Sequence, residues 1–236
     1  MNRFLKGAMI LTIAGVIVKI IGAFSKVLVA RILGGEGIGL YMMAYPIYQI
    51  IVSISAAGIP VAISIMIAEK LANRDMRGVQ QVFNVSLRVL TLVGIIFSVG
   101  LYASAEWLIK WNIITDSRAL IPIQLLSPAI IVVTILSCFR GYFQGFQYMV
   151  PTGTSQVFEQ IFRVGSMVGL AYYFIDSGLH LAAGGATFAT FPGVLAGLIV
   201  LVYFYRSQRS LRQQMLSEQN EEAPIERTSA VIKRLF

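Results

Sequence analysis

The chain has 236 residues, 57% of them hydrophobic and only 13% charged, with a mean hydropathy of +0.76. Soluble domains carry roughly 25% charge, so a membrane protein is expected and a sizeable water-soluble domain is excluded. The single cysteine, Cys138, lies inside an apolar run, which excludes a disulfide scaffold. The net charge of +8 comes from residues that mostly flank apolar stretches, so no nucleic-acid partner is expected.

Six apolar stretches are long enough to cross a bilayer: 7–31, 41–68, 81–105, 119–139, 151–175 and 182–205. Runs such as 7–18 and 194–205 are apolar on all sides rather than alternating, which excludes a transmembrane barrel. The expectation is an all-α integral membrane protein with six transmembrane helices. Lys19 interrupts the first stretch, so a cleaved leader is not expected.

The basic residues set the orientation. If both ends are cytoplasmic, the outer loops near 32–40, 106–118 and 176–181 hold only Arg31, Lys110 and Arg118, and the inner segments hold the other flanking cations. Localisation in the cytoplasmic membrane with cytoplasmic N- and C-termini is therefore expected. Tyr102 and Trp107 suit the outer interface, and Tyr203 to Tyr205 the inner one.

Four basic residues fall within the spans: Lys19 and Lys26 in the first, Arg88 in the third, Arg163 in the fifth. Each costs on the order of 2.5–3.5 kcal/mol at a helix centre, so such residues face a cavity or a partner, or else snorkel to headgroups. Lys19 and Lys26 are seven apart, on one helical face with Gly15 and Gly22. Arg88 follows Gln80, Gln81 and Asn84 and has both options. Glu159 and Arg163 stand at i, i+4, beside Gln156 and Gln160. That pair serves either packing or a cavity, and even with it cancelled the interior stays positive. A wet cavity that receives an anion, such as a phosphate or diphosphate headgroup, accounts for that excess.

Helix breakers interrupt the second span at Pro46, Gly58 and Pro60, the fourth at Pro122 and Pro128 and the sixth at Pro192, and Pro46, Gly58 and Pro60 are the expected hinges. Gly165-x3-Gly169 and Gly193-x3-Gly197 read as helix-packing pairs. No metal-ligand cluster, paired carboxylates or nucleophile arrangement is present, and His180, the sole histidine, reads as a loop residue. Neither an enzyme nor a cofactor is expected. The chain divides into a membrane unit, 1–205, and a cytoplasmic linker, 206–236, whose last residues have the composition of an entry into a seventh helix.

The stretches LVARILGGEGIGLYMMAYP at 28–46 and RGYFQGFQYMVPTGTSQVFEQIFR at 140–163 resemble the stage V sporulation protein B group of polysaccharide flippases. This group sits in the multidrug/oligosaccharidyl-lipid/polysaccharide (MOP) exporter superfamily together with the lipid II flippase. Arg140, Gly141, Gln144, Gly145, Pro151, Ser155, Gln156, Glu159, Gln160 and Arg163 carry the resemblance. It implies one six-helix lobe of a two-lobed, MATE/MurJ-like transporter that moves undecaprenyl-diphosphate-linked saccharides or peptidoglycan precursors by alternating access. Lys19, Lys26, Arg88 and Arg163 would then be cavity cations for a lipid-linked anionic saccharide, with Arg140, Gln144, Gln156, Glu159 and Gln160 polar or structural. Members are about twice this length, so a second lobe or a homo-oligomer would supply the missing wall. The rival readings are a cation-coupled multidrug exporter lobe, which would want unpaired carboxylates, and a non-transporting scaffold for cell-wall or spore-envelope assembly.

Overall fold

The computed structural model describes residues 3–56, 58–217 and 228–235, and these are helical apart from short connections. Without water to satisfy N–H and C=O groups in a bilayer core, such apolar stretches must bond within themselves. The α-helices are α1 (Arg3–Ala56), α2 (Ile59–Ala72), α3 (Met76–Lys110), α4 (Leu120–Gly145), α5 (Val150–Phe174), α6 (Leu179–Phe188), α7 (Thr190–Ser207), α8 (Arg209–Ser217) and α9 (Thr228–Leu235). Four stretches among the described residues are long and apolar enough to cross a membrane: Leu5–Ala72, Met76–Lys110, Ser117–Gly145 and Leu179–Ser207. This is a multi-pass membrane protein.

α1 is two limbs, 3–33 and 35–56, joined at Gly34, whose φ of 66° and ψ of −174° are non-helical. Gly22 on the first limb lies against Gln160, and Tyr45 on the second accepts a hydrogen bond from Arg163. Gln160 and Arg163 are one helical turn apart on α5, whereas 23 residues of straight helix would separate Gly22 and Tyr45 by about 34 Å. The chain therefore doubles back at Gly34. The expected outer loop at 32–40 is reduced to that one residue, because glycine alone reverses the backbone there without strain.

The other joints are equally short. Gly58, at φ 75°, separates α1 from α2, with Pro60 in the first turn that follows. Arg74, Asn112, Gln147 and Gly178 also have positive φ, and each closes the helix before it. Asp75 caps α3 by accepting a hydrogen bond from the Gly78 N–H at 2.7 Å. The prolines break less than expected. α1 runs through Pro46 and α4 through Pro128, while the joint between α6 and α7 falls at Ala189, before Pro192.

α4 is the central post, packed against α1, α2, α3, α6 and α7, and α5 lies between α1 and the α6–α7 rod. Helices in lipid associate by close packing rather than by hydrophobic exclusion, which favours small residues at contacts. Gly141 and Gly145 of α4 seat on Pro60, Ile63 and Ile67 of α2. Gly193 and Gly197 of α7 form the groove that receives α5 beside Glu159 and Arg163. Gly165 and Gly169 meet nothing within 4 Å, so that expected packing pair has no neighbour among the described residues. Two apolar clusters fill the bundle. One surrounds Leu40, Ile123 and Leu126 toward the Gly34 end, and the other surrounds Ile63, Phe83 and Phe143 toward the opposite end. α9 joins the second cluster through buried Val231 and Leu235, and Arg234 pairs with Glu69 of α2.

Candidate functional site

The two limbs of α1 and the middle of α5 enclose three sides of a cavity of about 460 Å³. Lys19 and Lys26 come from the first limb, Tyr41, Met42 and Tyr45 from the second, and Gln160, Arg163 and Met167 from α5. Both lysines are exposed, and the cavity is partly open among the described residues. Neither has a carboxylate within ion-pair distance among the described residues. Seven residues of helix separate them, about 10 Å along the axis, so two ammonium groups punctuate one wall.

Arg163 is held more tightly. Its Nη2 donates to Glu159 Oε1 at 3.0 Å and its Nη1 to the Tyr45 hydroxyl at 3.4 Å. Glu159 is shared: its other oxygen, Oε2, accepts from Arg140 Nη2 at 2.7 Å, and the same Nη2 lies 3.5 Å from Ser155 Oγ. Two guanidiniums thus flank one carboxylate, and a surplus positive charge remains at the cavity wall. The buried Nε atoms of Arg140 and Arg163 have no hydrogen-bond acceptor among the described residues. Arg163 lines the cavity and Arg140 does not, so of the two guanidiniums that of Arg163 stands where an incoming anion would meet it.

The sequence-derived candidates separate accordingly. Lys19, Lys26, Gln160 and Arg163 come together at the cavity. Glu159 lies behind Arg163, and Arg140 reaches it from α4. Gln144 and Gln156 are half-buried and do not line the cavity. Arg88 also stands apart. It lines a different hollow of about 410 Å³ beside α3, with Arg77, Gln81 and Asn84. Of the hinge candidates, Gly58 and Pro60 sit at a real break between helices, and Pro46 sits within a continuous one.

Tyr41, Met42 and Tyr45 were not anticipated as wall residues. Tyr41 and Tyr45 stack at 5.3 Å between centroids, and Tyr45 and Tyr48 lie 5.9 Å apart. Their spacing of i, i+4, i+7 puts three aromatic rings on one helical face, a signal that was present in the sequence.

A family model described as "Polysaccharide biosynthesis protein" matches residues 4–222. The chain belongs to this polysaccharide biosynthesis protein family. Among curated relatives, stage V sporulation protein B of Bacillus subtilis (strain 168) is 34% identical over 211 residues, 89% of this chain and 40% of that protein. Lipid II flippase MurJ of the same organism is 29% identical over 225 residues, 91% of this chain and 41% of that protein. The chain thus spans about two fifths of the length of these relatives. The fold matches half of larger transporters. One is an outward-facing multidrug resistance MATE family transporter of the MOP superfamily (TM-score 0.79, 15% identity, 99% of this chain and 50% of that one). Another is a MOP superfamily transporter from Pyrococcus furiosus described as having a binding pocket of reverse polarity (TM-score 0.75, 15% identity, 100% of this chain and 51% of that one).

Proposed function

We propose that this chain is one lobe of a membrane flippase whose cavity holds the diphosphate of a lipid-linked saccharide, with Lys19, Lys26 and Arg163 as the cations. The observation that carries this reading is the convergence of those three side chains on one open cavity whose single carboxylate neighbour among the described residues, Glu159, is already shared by two arginines. Undecaprenyl-diphosphate-linked saccharides or peptidoglycan precursors are the cargo. The family membership and the similarity to a lipid II flippase support that class.

The lobe crosses the membrane six times: 3–33, 35–72 with a break at Gly58, α3, α4, α5, and α6 with α7. α5 is more polar than the others because it carries Gln156, Glu159, Gln160 and Arg163, and its cover by α1, α6 and α7 offsets the cost. Both termini face the cytoplasm, as the distribution of Lys and Arg favours. A second lobe, from another polypeptide segment or a second copy, closes the open side of the cavity, and rocking of the two lobes exposes it alternately to each leaflet.

The test is binding of a short isoprenyl diphosphate to the purified chain in detergent micelles, with a cationic dye as competitor. Each of Lys19→Gln and Lys26→Gln is expected to weaken binding about tenfold, the worth of one charge-assisted hydrogen bond, with unchanged thermal unfolding. Preference for the dye would replace this reading with a multidrug exporter lobe. Retention of binding in the double variant would remove the lysines from the site.

A further inference from the structure

We infer that the chain carries a second anion site, separate from the Lys19 cavity, that holds the headgroup of an anionic glycerophospholipid. Two contiguous hollows, about 410 and 350 Å³, lie where α3 meets the end of α7 and α8, and they share Gln80 and Leu216. Arg77 and Arg88 of α3 line the first, and Arg206, Arg209 and Arg212 line the second. No carboxylate lines either hollow among the described residues. This site shares no residue with the central cavity.

The arrangement is built rather than incidental. Arg212 lies 3.5 Å over the ring of Tyr205 and donates to the Tyr205 carbonyl oxygen at 2.6 Å, which pins α8 back onto α7. Gln80 donates to the Tyr205 hydroxyl at 3.4 Å, tying α3 to the same ring. Arg88, Arg206 and Arg209 are exposed, and no ion pair engages them among the described residues. They therefore point donors outward from a fixed frame.

The shape of the site selects the class of ligand. Arg77, Asn84 and Arg88 follow a spacing of i, i+7, i+11 on α3, a polar stripe about 16 Å long. Beyond Arg88, the residues at i+4, i+8 and i+11 are Leu92, Ile96 and Val99, all about 60% exposed. One helix face thus passes from phosphate-binding donors directly to a lipid-facing apolar track. A molecule with a phosphate at one end and an acyl chain at the other matches both halves, whereas a free phosphate would use only the first. Arginines rather than lysines suit the phosphodiester because the planar guanidinium binds two oxygens at once.

The test uses the full chain, delipidated in detergent and titrated with dioctanoyl phosphatidylglycerol, dioctanoyl phosphatidylcholine and glycerol 3-phosphate. Saturable phosphatidylglycerol binding is expected, at least tenfold tighter than for either of the others. It should weaken tenfold or more in the triple variant Arg88→Gln, Arg206→Gln, Arg209→Gln, and be unchanged in Lys19→Gln, Lys26→Gln. Equal binding of phosphatidylcholine, or full activity of the triple variant as a binder, overturns the proposal. Equal binding of glycerol 3-phosphate reduces the site to one for free phosphate and overturns the lipid assignment. Loss in the lysine variant instead would place the lipid in the central cavity. Should the triple variant unfold, the unmodified chain decides: phosphatidylglycerol binding must fall as salt rises from about 0.05 to about 0.5 M, and salt-independent binding rejects the site.

Discussion

Gly193 of α7 lies so close to Arg163 of α5 that a Cβ built on the glycine would stand 2.6 Å from the arginine's own Cβ. The absence of a side chain on α7 is what allows Arg163 to reach the cavity wall while remaining on Glu159. Gly193→Ala is therefore expected to cost about 1–3 kcal/mol through overpacking. Gly165→Ala, with nothing within 4 Å, should stay within about 0.5 kcal/mol. Thermal unfolding in detergent compares the two, and equal effects would refute the close contact.

Gly34 makes a complementary case, because there is space around it but not conformational freedom. No atom lies within 4 Å of the site of a Cβ, yet φ is +66° with ψ −174°, a region that side-chain-bearing residues occupy at a cost of about 1–3 kcal/mol. Gly34→Ala should lose that much stability and loosen the reversal of α1. Gly35→Ala, one residue on within the helix, should not. The measurement is the unfolding midpoint of each variant, together with the distance between spin labels on the two limbs.

The bridge formed by Glu159 predicts an order of effects. Glu159→Gln leaves two half-buried guanidiniums without a counter-charge and is expected to cost about 3 kcal/mol. Arg140→Gln leaves the Glu159–Arg163 pair in place and removes one charged hydrogen bond, about 1.5 kcal/mol. The reverse order in thermal unfolding would mean that Arg140, not Glu159, is the centre of the network.

At the Gly34 end, Arg118 bridges Asp116 and Glu36, with Nη1 at 2.7 Å from Glu36 Oε1 and Nη2 at 2.7 Å from Asp116 Oδ2. Hydrogen bonds from Arg118 favour the ionised form of Asp116 and lower its pKa below the usual 3.8. A lowered folded-state pKa means that the contribution is complete above the ordinary value and disappears as the pH falls through the lowered one. A carboxyl carbon titration by NMR should therefore give an Asp116 midpoint below 3.8, returned to the ordinary value in Arg118→Gln. A midpoint at or above 3.8 in the unmodified chain would exclude the bridge in solution.

Hydropathy made the membrane class and the position of the long helices legible, because burial in lipid depends on composition and hardly on which neighbour a helix meets. The i, i+4 pairing of Glu159 with Arg163 was equally readable, since helical geometry alone brings those side chains together. The resemblance carried by residues 28–46 and 140–163 pointed to the family that the comparison with known proteins then established. Gly34 was harder to read. Its neighbourhood, Leu33 to Gly39, contains four glycines, and composition spreads a turn over a segment that the backbone concentrates in one residue.

Two things were decided only by the tertiary structure. The first is company: Arg140 joins Glu159 from 19 positions away, and the Tyr41–Tyr45 stack becomes cavity wall, because helix packing sets which faces meet and no local periodicity encodes that. The second is separation. Lys19 and Arg88 read alike in the sequence, as cations inside apolar stretches, but the bundle sends them to different hollows. Charge content fixes that each needs water or an anion; only the arrangement of helices fixes which one it finds.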